Sequence, residues 1–172
     1  MKKTSTERPA EKSVSIGPGT VHTTINRNIR EREDGLWEFD SVAIVTTNQA
    51  SADDIRIALI KDIDQQTDEK ILKGFRWQPA GDATGMVSVW LSPEKQFDFK
   101  AAYDLAVQTG GENLPVKFKL GEDNGGIPVY HTFENMEEFS DFYMRAFRYI
   151  NQCLVEGWAE KDGLDEWIRE RV

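Results

Sequence analysis

Polar and apolar residues alternate along several stretches of the chain, which is the pattern of strands with one buried face. The alternation is strict in Leu114–Leu120 and again in Ile127–Phe133, and the glycine-rich segment between them predicts a hairpin. A second hairpin, with a loose tip at residues 79–82, is predicted from the segments 75–78 and 86–91.

Two more strands are predicted nearer the start of the chain. Leu36 to Thr47 is rich in apolar residues, and we expect Val42–Val45 to be buried on both faces. An alternating segment precedes it, with one face formed by Val21, Thr23, Ile25, Arg27 and Ile29. This segment is typical of an edge or donated strand. The pattern leaves open whether it pairs with its own body or with a neighbouring chain, and we favour the neighbour.

Apolar residues at helical spacing follow recognisable caps. Ser51 and Asp54 resemble a capping box and predict a helix over residues 51–63, followed by a short helix from Thr67 to Gly74. Another helix, with Phe99 to Ala106 on its apolar face, is predicted to stop at Gly110.

The last predicted elements lie at the C-terminal end of the chain. Asn135 and Glu138 predict the start of a long amphipathic helix that reaches Trp158. A short C-terminal segment around Trp167 follows this helix. We therefore predict an α+β fold, in which small, mainly antiparallel hairpins pack against this C-terminal helix.

The chain divides into three predicted parts. Residues 1–29 form a flexible or extended N-terminal arm, residues 30–74 a subdomain of one strand plus helices, and residues 75–172 an α+β C-terminal domain. The first dozen residues are Lys, Thr, Ser, Glu and Pro with almost nothing to bury, so we expect them to be disordered unless a partner orders them.

Charge separates the arm from the body. The net charge is −9, but residues 1–29 carry five basic side chains against two acidic ones, which leaves −12 on the remainder. An acidic body repels phosphate backbones, so we expect no nucleic-acid partner. No apolar run is long enough for a membrane helix or a signal peptide, so we expect no membrane partner and synthesis into the cytoplasm.

Candidate catalytic residues are few. His22 and His131 are far apart in the sequence and far from Cys153, so their spacing indicates neither a metal cluster nor a nucleophile with its base. Cys153 is predicted to be a core thiol and His131 a satisfied core or edge histidine. The acidic residues that crowd the start of the last helix stabilise its dipole. We therefore expect no enzymatic activity, no cofactor, no metal and no small-molecule substrate.

The chain contains five tryptophans, which raises the possibility of a sugar-stacking face. Trp37, Trp90 and Trp158 lie on faces assigned to the core. Trp77 and Trp167 are the remaining candidates for an exposed contact, and we favour subunit packing over carbohydrate for both.

Several segments resemble uncharacterised proteins of phages and prophages of Bacteroides-type bacteria. These are VWLSPEKQFDFKAAYDLA at 89–106, LPVKFK at 114–119 and TFENM at 132–136, within a match over residues 75–165, and a weaker likeness at 29–36. The family has no established activity, so the resemblance assigns no site residue. It implies a virion or tail-associated component.

The sequence therefore predicts a non-enzymatic phage structural protein in a tail, collar or fibre-attachment position. It would be assembled in the bacterial host cytoplasm and would bind other virion proteins, copies of itself, or both, through the arm and the C-terminal domain. Two alternatives remain open, a tail-fibre assembly chaperone and a carbohydrate or receptor-binding module.

Overall fold

The computed structural model describes residues 2–79, 85–123 and 125–171. The chain forms two compact units, one built from the residues up to Gln66 together with those from Glu156 onward, and the other from Thr67–Val155. Helices and antiparallel sheets make up both units, which confirms the predicted α+β class.

The first unit contains a four-stranded antiparallel sheet. Its strands are β1 (Lys2–Ser5), β2 (Lys12–Gly17), β3 (Thr20–Glu31) and β4 (Trp37–Thr46), in the spatial order β1-β4-β3-β2. β3 lies between β2 and β4, and pairs with β4 along the full length of β4. A β-bulge interrupts this pairing between Arg27 and Arg30.

Two helices cover one face of this sheet. They are α1 (Ala52–Lys73), which continues into the second unit, and α4 (Leu164–Arg171). The buried core of the unit consists of Ile25, Ala50, Ile55, Leu59, Ile63, Leu164 and Ile168. Ile55, Leu59 and Ile63 are spaced four residues apart in α1, so they lie on one stripe of the helix that faces the sheet.

The start of α1 confirms the predicted capping box. The Asp54 N–H donates to Ser51 Oγ at 3.1 Å, and the Ser51 N–H donates back to Asp54 Oδ2 at 2.9 Å. The predicted break after residue 63 is wrong, because α1 is one continuous helix to Lys73. No glycine or proline occurs between Ser51 and Gly74, so polar residues at 64–66 do not end the helix.

The second unit combines two hairpins with helices. The strands are β5 (Phe75–Trp77), β6 (Val87–Val89), β7 (Val116–Glu122) and β8 (Pro128–Phe133). β5 pairs with β6 in one hairpin, and β7 pairs with β8 in the other. Both predicted hairpins are confirmed in their strands, whereas residues 80–84 of the first tip and residue 124 of the second loop lie outside the described residues.

Aromatic side chains dominate the core of the second unit. The helices are α2 (Pro93–Thr109) and α3 (Met136–Asp162), and α3 continues into the first unit. The Phe142 ring lies 5.0 Å from Trp77, 5.0 Å from Phe99 and 4.8 Å from Phe133, measured between ring centroids. These contacts join both hairpins to α2 and α3. Cys153 is buried in this core, as predicted.

The N-terminal region differs from the prediction of a flexible arm over residues 1–29. Residues from Lys2 onward form β1, β2 and β3 of the sheet, and the predicted boundary at residue 29 falls inside β3. The Lys, Ser and Thr side chains of β1 and β2 bury little, so these strands are held mainly by backbone hydrogen bonds to the sheet. A hydrophobicity pattern records side-chain burial and cannot register that contribution.

Burial along β4 also differs from the prediction. Val42–Val45 are half-buried or exposed, whereas Phe39, Asp40 and Ser41 are buried. Residues 6–11 connect the two edge strands. They cross the sheet face opposite the helices, because Asn26, which lies on the other face of β3 from Ile25, donates from Nδ2 to the Ala10 carbonyl at 2.7 Å. The connection covers one end of the outer face and leaves the end near Val45 open.

The pKa of Glu38 tests whether β1 pairs with β4. Hydrogen bonds from Arg30 and from Lys2 of β1 hold the pKa of this carboxyl below its ordinary value of 4.5. A depressed pKa stabilises the folded chain above pH 4.5, and the contribution is lost as the pH falls through the lower folded pKa. We expect Lys2→Gln to raise the pKa of Glu38 in an NMR carboxyl titration.

Lys3→Gln is the matched control, because Lys3 pairs with Phe39 and lies on the other face of the strand. The control variant should leave the Glu38 titration unchanged. An unchanged pKa in Lys2→Gln as well would contradict the placement of β1.

Candidate binding surfaces

One edge of β4 is only partly paired. β3 pairs with β4 from Trp37 to Thr46, whereas β1, on the other edge, pairs only with Trp37–Asp40. No strand in the described part of the chain pairs with Ser41–Thr46 on the β1 side. Alternate residues of an antiparallel strand direct both backbone groups to the same edge, so this stretch presents unpaired N–H and C=O groups to the outside.

A groove follows this open edge. Val42–Thr46 form one wall and α1 forms the other, and the groove has a volume of about 480 Å³. The lining residues of α1 are Asp54, Ile57, Ala58, Lys61, Asp62 and Gln65. Consecutive residues of β4 line the groove, so it runs along the edge of the strand. We refer to this feature as the edge groove.

The edge groove is lined by apolar residues of β4 and by both apolar and charged residues of α1. Ile57 is 66% exposed and Val45 57% exposed, although both are β-branched apolar residues. Among the charged residues, Ser51 hydrogen bonds lower the pKa of Asp54, and Asp62 accepts a hydrogen bond from Gln66 at 2.7 Å. Free backbone groups beside an apolar wall can bind an extended chain, by hydrogen bonding along its backbone and by packing of every second side chain.

A second cleft lies at the start of α3, in the second unit. Its volume is about 760 Å³, and its lining is Trp77, Gln78, His131, Thr132, Glu134, Asn135, Glu137, Glu138, Asp141 and Arg145. The Arg145 Nε–H donates a hydrogen bond shared by both carboxylate oxygens of Asp141, at 2.9 and 2.8 Å, and the Trp77 indole nitrogen lies 3.4 Å from Asp141 Oδ2.

His131 is the one imidazole that lines this cleft. Its Nε2 lies 3.1 Å from Glu138 Oε1, and its ring packs edge-on against Trp77 and Phe133. No hydroxyl or thiol of the described residues is hydrogen-bonded to the ring. These contacts agree with the prediction of a satisfied histidine, fixed by a carboxylate and two aromatic rings.

The predicted contact strand is an internal strand of the sheet. Thr23, Ile25 and Arg27 are buried, and Val21 and Ile29 are half-buried. β2 pairs with one edge of β3 at Thr20–Ile25, and β4 pairs with the other edge. The prediction that this segment contacts a neighbouring chain is therefore corrected for Val21–Ile25, where both edges are already paired within this chain, and for Arg27, whose side chain is buried.

Arg27 shows how far this strand is enclosed. Its side chain is buried, and Nη2 lies 3.9 Å from Glu160 Oε1. Nε and Nη2 make no hydrogen bond with the described residues. A guanidinium in this position cannot reach the surface of a partner.

The assignment of the tryptophans is also corrected. Trp77 is 2% exposed and lies in the aromatic core, whereas Trp158 and Trp90, assigned to the core, are 53% and 38% exposed. Trp167 is half-buried against the core of the first unit, with the Arg171 guanidinium 5.7 Å from its ring centre. Helical and strand periodicity fixes which residues share a face, but not which face the rest of the fold covers.

The edge groove was not predicted, although its signal is present in the sequence. Ser41–Thr46 has no charged residue and carries apolar residues on both faces. This pattern is shared by a strand buried on both sides and by a strand with an open edge, and we interpreted it as burial.

Comparisons with known proteins identify no relative of this chain. The chain matches no protein-family model, no curated protein and no solved structure. Among the described residues, no helix has the length and apolar character needed to span a membrane. Within the same residues, no group of three or more His, Cys, Asp or Glu side chains is arranged to hold a metal ion.

Truncation of Trp77 tests the corrected assignment. We expect Trp77→Ala to lower the free energy of unfolding by about 3–5 kcal/mol, because a buried aromatic side chain leaves a cavity. Trp158→Ala, the exposed control, should cost less than about 1 kcal/mol. Urea unfolding at 25 °C measures both. Equal, small effects of the two substitutions would contradict the burial of Trp77.

Proposed function

We propose that this chain is a non-enzymatic structural protein of a phage or prophage particle, in a tail, collar or fibre-attachment position. The observation that carries the proposal is the edge groove, which offers unpaired backbone groups beside an apolar wall. Such an edge is suited to joining chains by strand addition.

The composition of the edge supports an assembly role. Ser41–Thr46 is uncharged, contains no proline and is rich in β-branched residues, which is the composition of segments that aggregate when exposed. Proteins usually protect such edges with charges, bulges or a covering element. A partner that covers the edge in the assembled particle provides this protection.

The phage context is supported by the resemblance at residues 89–106, 114–119 and 132–136. In this proposal the chain is made in the cytoplasm of the bacterial host and becomes part of the virion, where its partners are other virion proteins or copies of itself. The acidic body, with a net charge of −9 for the whole chain, disfavours contact with packaged nucleic acid.

The two alternatives receive unequal support. A tail-fibre assembly chaperone could use the same edge groove to hold a fibre segment temporarily and then release it. A carbohydrate-binding module was proposed from Trp77 and Trp167, but Trp77 is buried and Trp167 is half-buried. Trp77 is therefore closed to a sugar, and Trp167 exposes only part of its ring for stacking.

Mass spectrometry of purified particles tests the proposal. Particles induced from a host that encodes the chain should contain it, and Ile57→Lys, which places a charge in the edge groove, should reduce its content by at least about tenfold, the effect of a loss of about 1.4 kcal/mol in binding. Leu72→Lys is the matched control, since Leu72 is also exposed on α1 but does not line the groove.

The control variant should be incorporated at the wild-type level. Absence of the wild-type chain from intact particles would contradict the structural role. If particles then also lost their fibres on deletion of the gene, the chaperone alternative would replace it.

A further inference from the structure

We infer that the edge groove binds a single extended segment of a partner protein, which adds to the sheet as an antiparallel strand beside Ser41–Thr46. The inference rests on the proposed function, because it identifies the partner through which the chain assembles. It commits to a peptide segment with alternating apolar side chains.

The direction of the added strand follows from the sheet. β1 already pairs with Trp37–Asp40 on the same edge of β4, and it runs antiparallel to β4. A segment with the same direction as β1 continues the ladder without a change of hydrogen-bond pattern. Antiparallel pairing is also slightly more stable per residue than parallel pairing.

The side-chain preference follows from the two faces of β4. Val42 and Ile44 share a face with Ile25, which is buried beneath the helices, so they lie on the side of α1. Side chains of the added strand on that side pack against Ile57 and Ala58, and apolar β-branched residues fit there.

Residues on the other side of the added strand lie beside Ala43 and Val45, which are exposed. Polar residues such as threonine are suited to these positions. The charged residues that line the groove are Asp54 and Asp62 against Lys61, so basic residues at the ends of the segment are favoured.

A second copy of the chain is a less suitable occupant. Its own β4 edge is accompanied by its own α1, which would meet this α1 if the two edges were paired. A segment without a neighbouring helix enters the groove without that conflict. We therefore assign the groove to a peptide and treat self-association as an outcome of the test.

Backbone methylation provides the decisive experiment. The probe is the peptide Lys-Thr-Val-Thr-Val-Thr-Val-Lys, in three forms: unmodified, N-methylated at every valine, and N-methylated at every threonine. Methylation at alternate residues blocks one edge of a strand and leaves the other free. Binding to the full chain is measured by isothermal titration calorimetry, with analytical ultracentrifugation of the chain alone.

The unmodified peptide should bind, and one methylated form should bind at least about tenfold more weakly than the other, because only one peptide edge faces β4. Ile57→Lys should weaken binding of the unmodified peptide by a similar factor, and Leu72→Lys should leave it unchanged. Equal binding of the two methylated forms, or no binding of the unmodified peptide at millimolar concentration, would overturn the inference.

A dimer that Ile57→Lys dissociates would also overturn it, in favour of a second copy. These outcomes are independent of the particle analysis, because the purified chain can bind the peptide whether or not it is found in virions.

Discussion

The backbone of β4 sets the central constraint on the first unit. Every N–H and C=O of a strand needs a hydrogen-bond partner, from protein or from water, and an exposed row of such groups attracts other strands. β3 pairs with one edge of β4 from Trp37 to Thr46, with a bulge opposite Phe39, but the four-residue β1 pairs with the other edge only at Trp37–Asp40. Among the described residues, no strand pairs with the rest of that edge, which is left for solvent or for a partner.

The packing of α1 against the sheet determines the shape of the groove beside this open edge. The core stripe Ile55, Leu59 and Ile63 holds α1 against the sheet, and the Ser51–Asp54 cap fixes where the helix begins. Residues of α1 beside this stripe, such as Ala58 and Asp62, then face the side of β4. The groove is therefore a consequence of how the unit packs its core.

The second unit has a different basis for its stability. Phe142 joins Trp77, Phe99 and Phe133 in one aromatic cluster, with His131 at its border held by Glu138. In the cleft beside His131, Asp141 is paired with Arg145. The aromatic packing and the Glu138 contact explain the position of the histidine.

Local features were predictable from the sequence and long-range ones were not. The caps at Ser51 and Asn135 were found correctly, because each depends on residues within one helical turn. The hairpin that ends at Phe133 was found because its alternation is strict. The pairing of β1, by contrast, depends on an edge formed by a strand far along the chain.

The errors have the same origin. The sequence pattern places Trp158 on the apolar face of a helix and leaves Trp77 as an exposed candidate, whereas the tertiary fold buries Trp77 and exposes Trp158. Val45 is exposed because residues 6–11 cross the other end of the outer sheet face. No local sequence pattern indicates where that crossing lies. The edge groove was not predicted because it depends on one edge of Ser41–Thr46 having no partner strand. The sequence indicates that this segment can form a strand, but not which of its edges are paired.

Hydrogen exchange of the β4 amides tests the open edge most directly. In the purified chain at low concentration, amide protons of alternate residues in Ser41–Thr46 should exchange nearly as fast as in an unfolded peptide, while the residues between them are protected by β3. Trp37, Glu38 and Asp40, which pair with both β1 and β3, should all be protected. Uniform protection from Ser41 to Thr46 would show that the edge is already covered and would contradict the account.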